Sequence, residues 1–501
     1  MKNSPSLSIL LKDFIDLPDE FNVHCRELSL DTRTLTTGDV FFGIKGTQSD
    51  GHFFIEQAIK QGASAVVLDT TGSATVNTHT STSRTVPIIH LPQLKDHLGE
   101  IAACFYGHPE HHLSLIGITG TSGKTSCSHY IAHALQASGH PCGVIGSLGY
   151  GLLPHLTPLE HTTPDVFTIY RLLAHLRKQG AKSVVMEVSS HALKQTRIQG
   201  LTFKVGIFTN LTQDHLDYHL TLDDYAASKR LLFENYQMEY ALFNVDDALG
   251  KEWFNTLTGP LQKYPYTLNE PTLTHAISAQ SISSTLEGIK AMLKTPWGEG
   301  VLHSSLLGQF NLYNLLATLG VLSIYAIPLA DALHYLSDLH SVPGRMEKLG
   351  GHDQPLVIID YSHKPDALEK ALRTLKTYCK GELWCVFGCG GNRDALKRPL
   401  MGAIAERYAN NLILTDDNPR DEDPKTIVQA ILGGLAHPEQ AVVEHDRRHA
   451  IHHAISCAQP EDIILIAGKG HEHYQEIARK KNPFNDNIEA CLALENRIER
   501  L

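Results

Sequence analysis

The sequence contains no apolar run of the roughly 18 to 20 residues that a membrane-spanning helix needs. Its nine cysteines are odd in number and scattered without a CxxC pair, which argues against a disulfide framework and a zinc site. The N-terminal stretch MKNSPSLSILLKDFIDLPDE carries acidic residues too early for a secretory signal. Basic charge is also scarce, and a net charge of −11 argues against a general nucleic-acid binder. We therefore expect a cytoplasmic enzyme with no nucleic-acid partner and no membrane insertion.

The totals leave other properties open. A length of 501 residues exceeds what one hydrophobic core usually supports, so two or three domains are expected. The net charge does not exclude an anionic small substrate, because a local cationic pocket can outweigh it. The 30 histidines include the clusters GHPEHHL (107–113) and RRHAIHHAI (447–455), which are typical of a solvated linker and a helix face. We expect no metal at either cluster.

Apolar runs of strand length alternate with helical segments in three blocks. The first block contains VFFGIKGTQSDGHFFIEQAIKQGASAVVLD, and the second contains LSLIGITG, SVVMEVSS, VGIFTNLT and YALFNVDD. The third block contains PLVIIDYSH, LWCVFGCGG, NLILTDDNP and DIILIAGKG. Near-continuous apolar strands between helices indicate parallel sheets that are covered on both faces. We predict a three-domain α/β chain: a small N-terminal α/β domain (1–97), a central P-loop ATPase-like parallel-sheet domain (98–339) and a C-terminal Rossmann-like α/β domain (340–501).

The stretch LSLIGITGTSGKTSCSHYIAHAL (113–135) has the pattern of a strand, a glycine-rich loop and a helix. Backbone N–H groups of such a loop cradle phosphates, Lys124 can reach the terminal phosphate, and the Thr125 hydroxyl can hold Mg²⁺. The strict GxxxxGK[ST] pattern fails at one position, where Ile118 replaces the first glycine and Gly120 supplies the turn. The alternative is a glycine-rich connection without a ligand. The Gly-Lys-Thr sequence between a strand and a helix favours binding of a nucleoside triphosphate.

Two further strand ends carry candidate metal ligands. Glu187 ends the apolar run in VVMEVSSHAL, and His215 follows another run in IFTNLTQDHLDYH. Either residue alone could be an ordinary cap or surface residue. Beside a phosphate loop, an acid and a histidine suit a divalent ion that bridges nucleotide phosphates.

The stretch NLILTDDNPRDEDP (411–424) ends an apolar run in acids that surround one arginine, Arg420. It could be a simple surface turn, because Asn-Pro starts turns and Asp and Asn bond their own backbone. It could also be a ligand loop, because open α/β sheets bind ligands at the carboxyl ends of their strands.

The motifs GTSGKT, EVSSHAL, TNLTQDHLDYH, YAASKRLLF, GQFNLYN and PGRME, found together and in this order, resemble the Mur ligase family. These are ATP-dependent amide-forming enzymes of peptidoglycan precursor assembly, and the resemblance covers all three blocks. It implies an acyl phosphate route that releases ADP and phosphate. Within the family it implies the addition of meso-2,6-diaminopimelate to UDP-N-acetylmuramoyl-L-alanyl-D-glutamate, here called the UDP-MurNAc-dipeptide. The alternatives are a folylpolyglutamate synthetase, whose first block should lack the DTR…GD segment, and a nucleotide-regulated binding protein without turnover.

The resemblance also implies residue roles around ATP. The implied catalytic residues are Lys124, Glu187, His215 and Lys229, and Lys229 matches a lysine that the family carbamylates with CO₂. Thr125, Glu187, His215 and the Lys229 carbamate would hold Mg²⁺. The residues implied to contact ATP are Gly120, Thr121, Ser122, Gly123, Lys124, Thr125, Ser126, Asn311, Asn314, Arg345, Asp360 and His363. Ser122 stands where the family more often has asparagine, and Ser362 and Lys364 also depart from its usual residues.

The first block and two central motifs are implied to bind the UDP-MurNAc-dipeptide, which makes 1–97 the UDP-MurNAc-binding domain. The implied residues are Ser29, Asp31, Thr32, Arg33, Thr47, Gln48, Thr162, Thr163, Ser189, Gln195 and Arg197. Arg197 suits a peptide carboxylate. Ordinary turn chemistry is the alternative for the DTR segment. A monomer is expected.

The third block would present the incoming amino acid. The residues implied to bind diaminopimelate are Arg393, Asp417, Asn418, Pro419, Arg420, Gly468 and Glu472. Diaminopimelate has a distal ammonium and a distal carboxylate, and a bidentate arginine suits a carboxylate. Lysine has no distal carboxylate, so an arginine in that pocket would lose its partner. We therefore predict diaminopimelate rather than lysine.

Overall fold

The N-terminal part of the chain forms a five-stranded sheet in the order β1-β2-β3-β5-β4. The computed structural model describes residues 5–46, 49–80, 85–270 and 272–498. All pairs in this sheet are parallel except β4 with β5, and every residue of the VFFG strand β2 is buried. The elements are α1 (Leu7–Leu11), β1 (Leu28–Ser29), β2 (Val40–Gly43), α2 (Ile55–Lys60), β3 (Ala65–Thr70), β4 (Thr75–Thr80), β5 (Thr85–Pro92) and α3 (Leu94–Tyr106), with short 3₁₀ turns at Asp19–Phe21 and Gly51–Phe54.

The central part forms an eleven-stranded sheet in the order β16-β15-β14-β13-β12-β11-β6-β10-β7-β8-β9. A 3₁₀ turn at Pro109–His112 leads into it. The strands are β6 (Ser114–Thr119), β7 (Cys142–Gly146), β8 (Gly149–Leu152), β9 (His155–Thr157), β10 (Ser183–Glu187), β11 (Phe203–Phe208), β12 (Met238–Asn244), β13 (Gln262–Thr267), β14 (Ile277–Thr285), β15 (Gly288–Thr295) and β16 (Gly298–Ser304). The helices are α4 (Lys124–Ala137), α5 (Val166–Lys178), α6 (Ser190–Lys194), α7 (Leu216–His219), α8 (Leu222–Glu234), α9 (Ala248–Thr256), α10 (Gln309–Ile324) and α11 (Leu329–Ser337).

The strands from β14 to β7 in this order are parallel, and those at the two edges are antiparallel. The edge strands were not predicted from apolar runs, because β15 alternates buried and exposed residues and so exposes one face. The parallel strands are covered on both faces. Leu115 and Ile116, neighbours in β6, belong to two different apolar clusters.

The C-terminal part forms a six-stranded sheet in the order β17-β18-β22-β19-β20-β21, and a separate hairpin of β23 and β24. In this sheet β17 is antiparallel to β18 and the other pairs are parallel. The strands are β17 (Glu347–Gly350), β18 (Leu356–Asp360), β19 (Leu383–Phe387), β20 (Asn411–Leu414), β21 (Val442–Val443), β22 (Ile463–Ala467), β23 (Tyr474–Ile477) and β24 (Lys480–Pro483). The helices are α12 (Pro365–Tyr378), α13 (Lys397–Tyr408), α14 (Pro424–Leu432), α15 (Arg447–Cys457) and α16 (Asp486–Ile498), with a 3₁₀ turn at Pro438–Gln440.

The acids of the 411–424 stretch have local structural roles. The Asp423 side chain caps α14 by accepting a hydrogen bond from the Lys425 N–H, and Pro424 occupies the first turn, where its missing N–H costs nothing. Glu422 pairs with Arg398, and Asp421 pairs with Arg479. Asp421, Glu422 and Asp423 therefore stabilise the turn and the start of α14.

The α/β architecture with several mostly parallel sheets confirms the predicted fold class. The three sheets span residues 28–92, 114–304 and 347–467. The exact boundaries at 97/98 and 339/340, and the ligand of each region, stay predictions. Among the described residues, no helix is both long and apolar enough to cross a membrane.

Candidate active site

The glycine-rich loop joins β6 to α4 at the centre of the largest sheet. Gly120 and Gly123 have φ values of 148° and 86°, which are left-handed conformations that favour glycine. Because β6, β10 and β11 are parallel neighbours, their carboxyl ends lie side by side. The Ser122 N–H donates to the Asn210 side-chain oxygen at 3.0 Å, and the Thr209 hydroxyl donates to the Ser122 carbonyl at 2.7 Å. The loop is therefore fixed by the residues that follow β11.

Gly120→Ala is expected to raise the KM for ATP at least tenfold. A Cβ at this position would lie 1.9 Å from the Thr209 hydroxyl oxygen, so the loop must move in addition to adopting a strained φ. Initial rates at varied ATP measure the effect. Gly139→Ala is the matched control, because Gly139 also has a positive φ of 80° but a Cβ there would meet nothing within 4 Å. An unchanged KM in Gly120→Ala would contradict this role for the loop.

Two lysines converge on one carbonyl of the loop. Nζ of Lys124 donates to the Gly120 carbonyl at 2.8 Å and to the Thr121 carbonyl at 3.0 Å. Nζ of Lys229, on α8, donates to the same Gly120 carbonyl at 2.8 Å. Lys229 is buried, and it lies 4.3 Å from the centre of the Tyr225 ring.

Burial weakens the positive charge of both lysines. Desolvation lowers the pKa of Lys124 to about 8, although Glu187 acts in the opposite direction. Desolvation and the neighbouring Lys124 charge lower the pKa of Lys229 well below its usual value. Of these two lysines, Lys229 is therefore the one whose amine is more readily neutral.

Glu187 lies at the end of β10 within a set of hydroxyl groups. One of its carboxylate oxygens accepts a hydrogen bond from the Thr125 hydroxyl at 3.1 Å, and the other accepts from the Ser147 N–H at 2.8 Å. Its backbone carbonyl accepts from the Thr163 hydroxyl at 2.8 Å. Glu187 is 1 % exposed, so the carboxylate is held away from solvent. Two predicted metal ligands, Thr125 and Glu187, are thus in direct contact.

His215 is in a different environment from Glu187. It has a φ of 53° and is exposed, and its Nε2 lies 3.0 Å from the Asp214 carboxylate. Asp214 also pairs with Lys364 of the C-terminal part of the chain, here called the third region, as the N-terminal part is called the first region and the central part the central region. Burial acts to raise the pKa of Asp214, but the His215 hydrogen bond and the Lys364 charge outweigh it and hold the pKa below its usual value. The structure joins His215 to this ion pair, and among the described residues no hydrogen bond or ion pair joins it directly to Glu187.

The remaining residues predicted for ATP line the junction of the central and third regions. The Asn314 amide donates to the Asn311 side-chain oxygen at 3.2 Å, and a Cβ on Gly123 would lie 2.7 Å from the Asn314 oxygen. The Arg345 guanidinium lies 4.4 Å from the centre of the Tyr361 ring and 3.4 Å from the Thr125 hydroxyl. Arg345 therefore connects the third region to the phosphate loop.

Asp360 ends β18 and His363 lies three residues beyond it, and both are only partly exposed. Burial raises the pKa of Asp360, whose carboxylate accepts from the Met346 N–H at 2.8 Å. Burial also lowers the pKa of His363 well below its usual value, with the Lys364 and Lys397 charges acting in the same direction. Other predicted ATP residues lie in the loop and the first turn of α4, where Thr121 and Ser126 are buried.

A cavity of about 600 Å³ lies between the first region and the central region. Its walls include Ser29, Asp31 and Arg33 from the first region, and Gln195 and Arg197 from the segment after α6. The structure thus brings together two groups of predicted substrate residues that are far apart in sequence. Thr32 is buried beside them, and Thr47 and Gln48 lie outside the described residues.

Arg197 connects this cavity to the Glu187 site. Its guanidinium donates to the Thr163 carbonyl at 2.8 Å and to the Gln195 side-chain oxygen at 2.7 Å. The Thr163 hydroxyl also accepts from the Ser189 N–H at 3.1 Å. Thr162 lies 3.0 Å from Ser147 through their hydroxyl oxygens, so all five predicted central residues belong to one network.

The DDNPR loop (416–420) and the loop after β22 meet in the third region. The Asn418 amide donates to Oε2 of Glu472 at 2.8 Å, and a Cβ on Gly468 would lie 2.6 Å from the Asp417 carboxylate. Arg420, with a φ of 53°, donates through Nη1 to the Gly391 carbonyl at 2.7 Å and lies 3.3 Å from Glu476 through Nε. Pro419 is buried, and Arg393 is exposed on the neighbouring loop. The seven residues predicted to bind diaminopimelate therefore lie on adjoining loops of the third region.

Sequence reasoning missed several residues at these sites. Lys469 is completely buried and contacts both Asn418 and Glu472, and Lys364 pairs with Asp214. Tyr361 supports Arg345 through its ring. The only available signal was position: Lys469 stands between two glycines directly after an apolar strand.

The 107–113 histidine cluster contains an acid that the sequence interpretation did not weigh as a partner. Glu110 lies 3.1 Å from Nδ1 of His108 and 3.6 Å from Nε2 of His111. Both imidazoles are exposed and their rings stack at 5.0 Å. Glu110 thus lies between the two imidazoles in the turn between α3 and β6.

Three Mur ligase domain models match the chain. They are described as Mur ligase family, catalytic domain (residues 24–106), Mur ligase middle domain (118–322) and Mur ligase, glutamate ligase domain (344–470). A Coxiella burnetii protein described as UDP-N-acetylmuramoyl-L-alanyl-D-glutamate–2,6-diaminopimelate ligase is 45% identical over 94% of this chain and 96% of its own length. A Vibrio vulnificus protein of the same description is 41% identical over 98% of both chains.

Solved structures agree with these relatives. A structure described as UDP-N-acetylmuramoyl-L-alanyl-D-glutamate–2,6-diaminopimelate ligase has a TM-score of 0.69, 33% identity, and coverage of 99% of this chain and 100% of its own. MurF ligase from Thermotoga maritima, in complex with ADP, has a TM-score of 0.61 at 17% identity, covering 97% and 100% of the two chains, which is a likeness of fold alone. The ordered motifs, the three sheets and these full-length matches agree: the chain belongs to the Mur ligase family.

Proposed function

We propose that the protein is an ATP-dependent ligase that joins meso-2,6-diaminopimelate to UDP-N-acetylmuramoyl-L-alanyl-D-glutamate. The products are the UDP-MurNAc-tripeptide, ADP and phosphate. The observation that carries the proposal is that Lys124, Lys229 and Glu187 lie together around the phosphate loop. The cavity between the first and central regions and the DDNPR loop of the third region supply the two other candidate substrate sites. Relatives that are 41–45% identical over nearly their full length and bear this ligase description support it.

Amide formation in water requires activation of a carboxylate. A carboxylate of the dipeptide's D-glutamate attacks the γ-phosphorus of ATP, a carboxyl O–P bond forms, and the bond to the ADP oxygen breaks. The diaminopimelate amine then attacks the acyl carbon, loses a proton, and phosphate leaves. Lys124 offsets the repulsion between the carboxylate and the triphosphate, as charge-stabilising groups do in phosphoryl transfer.

The donor set beside the phosphate loop fits Mg²⁺. A threonine hydroxyl and a buried carboxylate in direct contact are hard oxygen ligands, which Mg²⁺ prefers. Thr125 and Glu187 would hold the ion, with His215 and a modified Lys229 as further proposed ligands. When bound, Mg²⁺ would neutralise phosphate charge. Glu187 is kept in position by Ser147 and Thr125.

Lys229 suits carbamylation by CO₂. A neutral amine attacks CO₂, a C–N bond forms, one proton is released, and a carbamate anion results. The lowered pKa of Lys229, caused by burial and by Lys124, favours the neutral amine that this step needs. The carbamate also turns the repulsion between two adjacent lysines into attraction.

The cavity between the first and central regions is the proposed site of the UDP-MurNAc-dipeptide. Ser29, Asp31, Thr32 and Arg33 would border its nucleotide end, as would Thr47 and Gln48. Thr162, Thr163, Ser189, Gln195 and Arg197 would border the peptide end. Arg197 is connected through Thr163 to Glu187, which would place a peptide carboxylate beside the phosphate loop.

Residues on the DDNPR and neighbouring loops would receive diaminopimelate. Arg420 can bind a carboxylate of the substrate, because Nη2 of its guanidinium makes no hydrogen bond within the described ranges. Asn418 and Glu472 are held together near it. Arg393, Asp417, Pro419 and Gly468 would complete the site.

Arg420→Ala is expected to raise the KM for diaminopimelate at least tenfold, about 1.4 kcal/mol of binding. The reason is the loss of a charge-assisted contact with the distal carboxylate. Phosphate release at varied diaminopimelate measures it. Arg479→Ala is the matched control, since Arg479 pairs with Asp421 nearby but its side chain is 84% exposed. An unchanged KM in Arg420→Ala would remove Arg420 from the substrate site.

The proposed reaction uses ATP and a nucleotide sugar, so we place it in the cytoplasm. We also propose that the protein acts as a monomer. The test of the proposed function is phosphate release that requires both the UDP-MurNAc-dipeptide and diaminopimelate. Hydrolysis of ATP with neither present, or none with both present, would contradict it.

A further inference from the structure

A completely buried lysine lies beneath the DDNPR loop. Nζ of Lys469 is 3.0 Å from the side-chain oxygen of Asn418 and 2.9 Å from Oε2 of Glu472. Lys469 is 0 % exposed, and its ammonium also lies 5.8 Å from the centre of the Tyr474 ring. Burying a lysine is costly unless its charge is paired, so this arrangement requires the Glu472 carboxylate.

The contacts divide the two oxygens of Glu472. Oε2 accepts from both Lys469 and the Asn418 amide, at 2.9 and 2.8 Å. Oε1 makes no hydrogen bond within the part of the chain that is described, and the side chain is 19% exposed. One oxygen is therefore fixed by the protein, and the other is available to a ligand.

Lys469 also sets the orientation of the Asn418 amide. The side-chain oxygen of Asn418 accepts from Lys469 and from the Glu476 N–H at 2.8 Å. With its oxygen held by two donors, the amide must turn its N–H₂ group to Glu472. Lys469 thus orients Glu472 in two ways: through its own contact with Oε2, and through the Asn418 amide that it holds in place.

The charges around this site favour a cation. Arg447 is buried and pairs with Asp486 at 2.7 Å, and Lys469 pairs with Glu472. Asp417 is a third carboxylate beside them, and burial raises its pKa while Lys469 and Arg447 act to lower it. Two cations thus face three carboxylates, so an incoming ammonium would offset the remaining negative charge when Asp417 is ionised.

We infer that Lys469 is a positioning residue that selects amino acids with a distal ammonium, by fixing Glu472 so that Oε1 can accept that group. The inference deepens the proposed function and rests on it. Lys469 itself does not touch the substrate. Its effect on turnover is expected to pass through Glu472 and Asn418.

The test compares two substrates on each variant. Diaminopimelate and 2-aminopimelate share the reacting amino-acid centre and the distal carboxylate, but only diaminopimelate has the distal ammonium. The wild-type protein is expected to favour diaminopimelate in kcat/KM by about tenfold or more, the range of a charge-assisted hydrogen bond. In Lys469→Met this ratio is expected to fall towards one. The ratio is independent of the active fraction of a preparation, so partial unfolding cannot mimic the result.

Four further variants sharpen the result. Lys481→Met is the matched control, because exposed Lys481 lies 4.5 Å from the same Tyr474 ring and its loss should leave the ratio unchanged. Glu472→Gln should lose the preference, and adding Lys469→Met to it should lower the ratio no further, since the two residues act as one unit. Lys469→Gln retains a hydrogen-bond donor without the charge, and it serves as the test if the Met variant does not fold.

The outcomes separate the inference from the proposed function. If the wild-type protein shows no release of phosphate dependent on diaminopimelate, the proposed function fails. If it turns over diaminopimelate but does not distinguish it from 2-aminopimelate, or if Lys469→Met keeps the full preference, only the role of Lys469 is overturned.

Discussion

Lys124→Met is expected to lower kcat/KM for ATP about 10³-fold, equivalent to about 4 kcal/mol of transition-state stabilisation. Lys124 has its ammonium at the carbonyls of Gly120 and Thr121, at the place where the loop would receive the terminal phosphate. Methionine preserves the length of the side chain and removes only its charge and hydrogen bonds. Phosphate release at varied ATP measures the loss.

Two comparisons identify the cause of that loss. Lys178→Met removes an exposed lysine at the end of α5 and should retain the full rate. In the wild-type protein, kcat/KM for ATP should fall as pH rises through about 8, because desolvation lowers the pKa of Lys124 to about 8 and the free enzyme then loses the charge. A Lys124→Met protein with near-normal kcat/KM would contradict a role in phosphoryl transfer.

Lys229→Met is expected to lower kcat at least 100-fold. In the proposed function, the variant would lose an anionic group beside the phosphate loop, because it could not form the proposed carbamate and could not help Glu187 to hold the proposed metal ion. Lys229 is buried, and its Nζ contacts the Gly120 carbonyl, which it shares with Nζ of Lys124. Single-turnover phosphate release with saturating ATP separates this effect from weaker ATP binding.

Carbon dioxide provides the control for Lys229. Removing CO₂ should reduce wild-type activity, and adding bicarbonate should restore it, whereas Lys229→Met should respond to neither. Labelling with ¹³C-bicarbonate should give a carbamate NMR signal in the wild-type protein alone. Full wild-type activity without CO₂, together with no carbamate signal, would show that Lys229 acts as an unmodified amine.

The phosphate loop could be predicted from sequence because its parts are contiguous. Gly120, Gly123 and Lys124 lie within five residues, and the strand and helix around them follow from local patterns. Glu187 could be placed near the loop because it ends a parallel strand. The Mur ligase resemblance of the ordered motifs is confirmed by the three matching domain models.

Contacts between distant segments could not be predicted in the same way. The cavity forms only when the Asp31 loop packs against the segment of Arg197, and no local pattern encodes that approach. The burial of Lys469 also depends on contacts with Asn418 and Glu472, which no local pattern encodes. The antiparallel edges of the central sheet were missed because their strands alternate polar and apolar residues. The roles of the individual site residues stay predictions.

The central claim is tested most directly by phosphate release with diaminopimelate and lysine compared side by side, each with ATP and the UDP-MurNAc-dipeptide. The account predicts release with diaminopimelate that requires the dipeptide, and at least tenfold lower kcat/KM with lysine, because Arg420 then has no distal carboxylate to bind. Equal use of lysine, or release without the dipeptide, would contradict it.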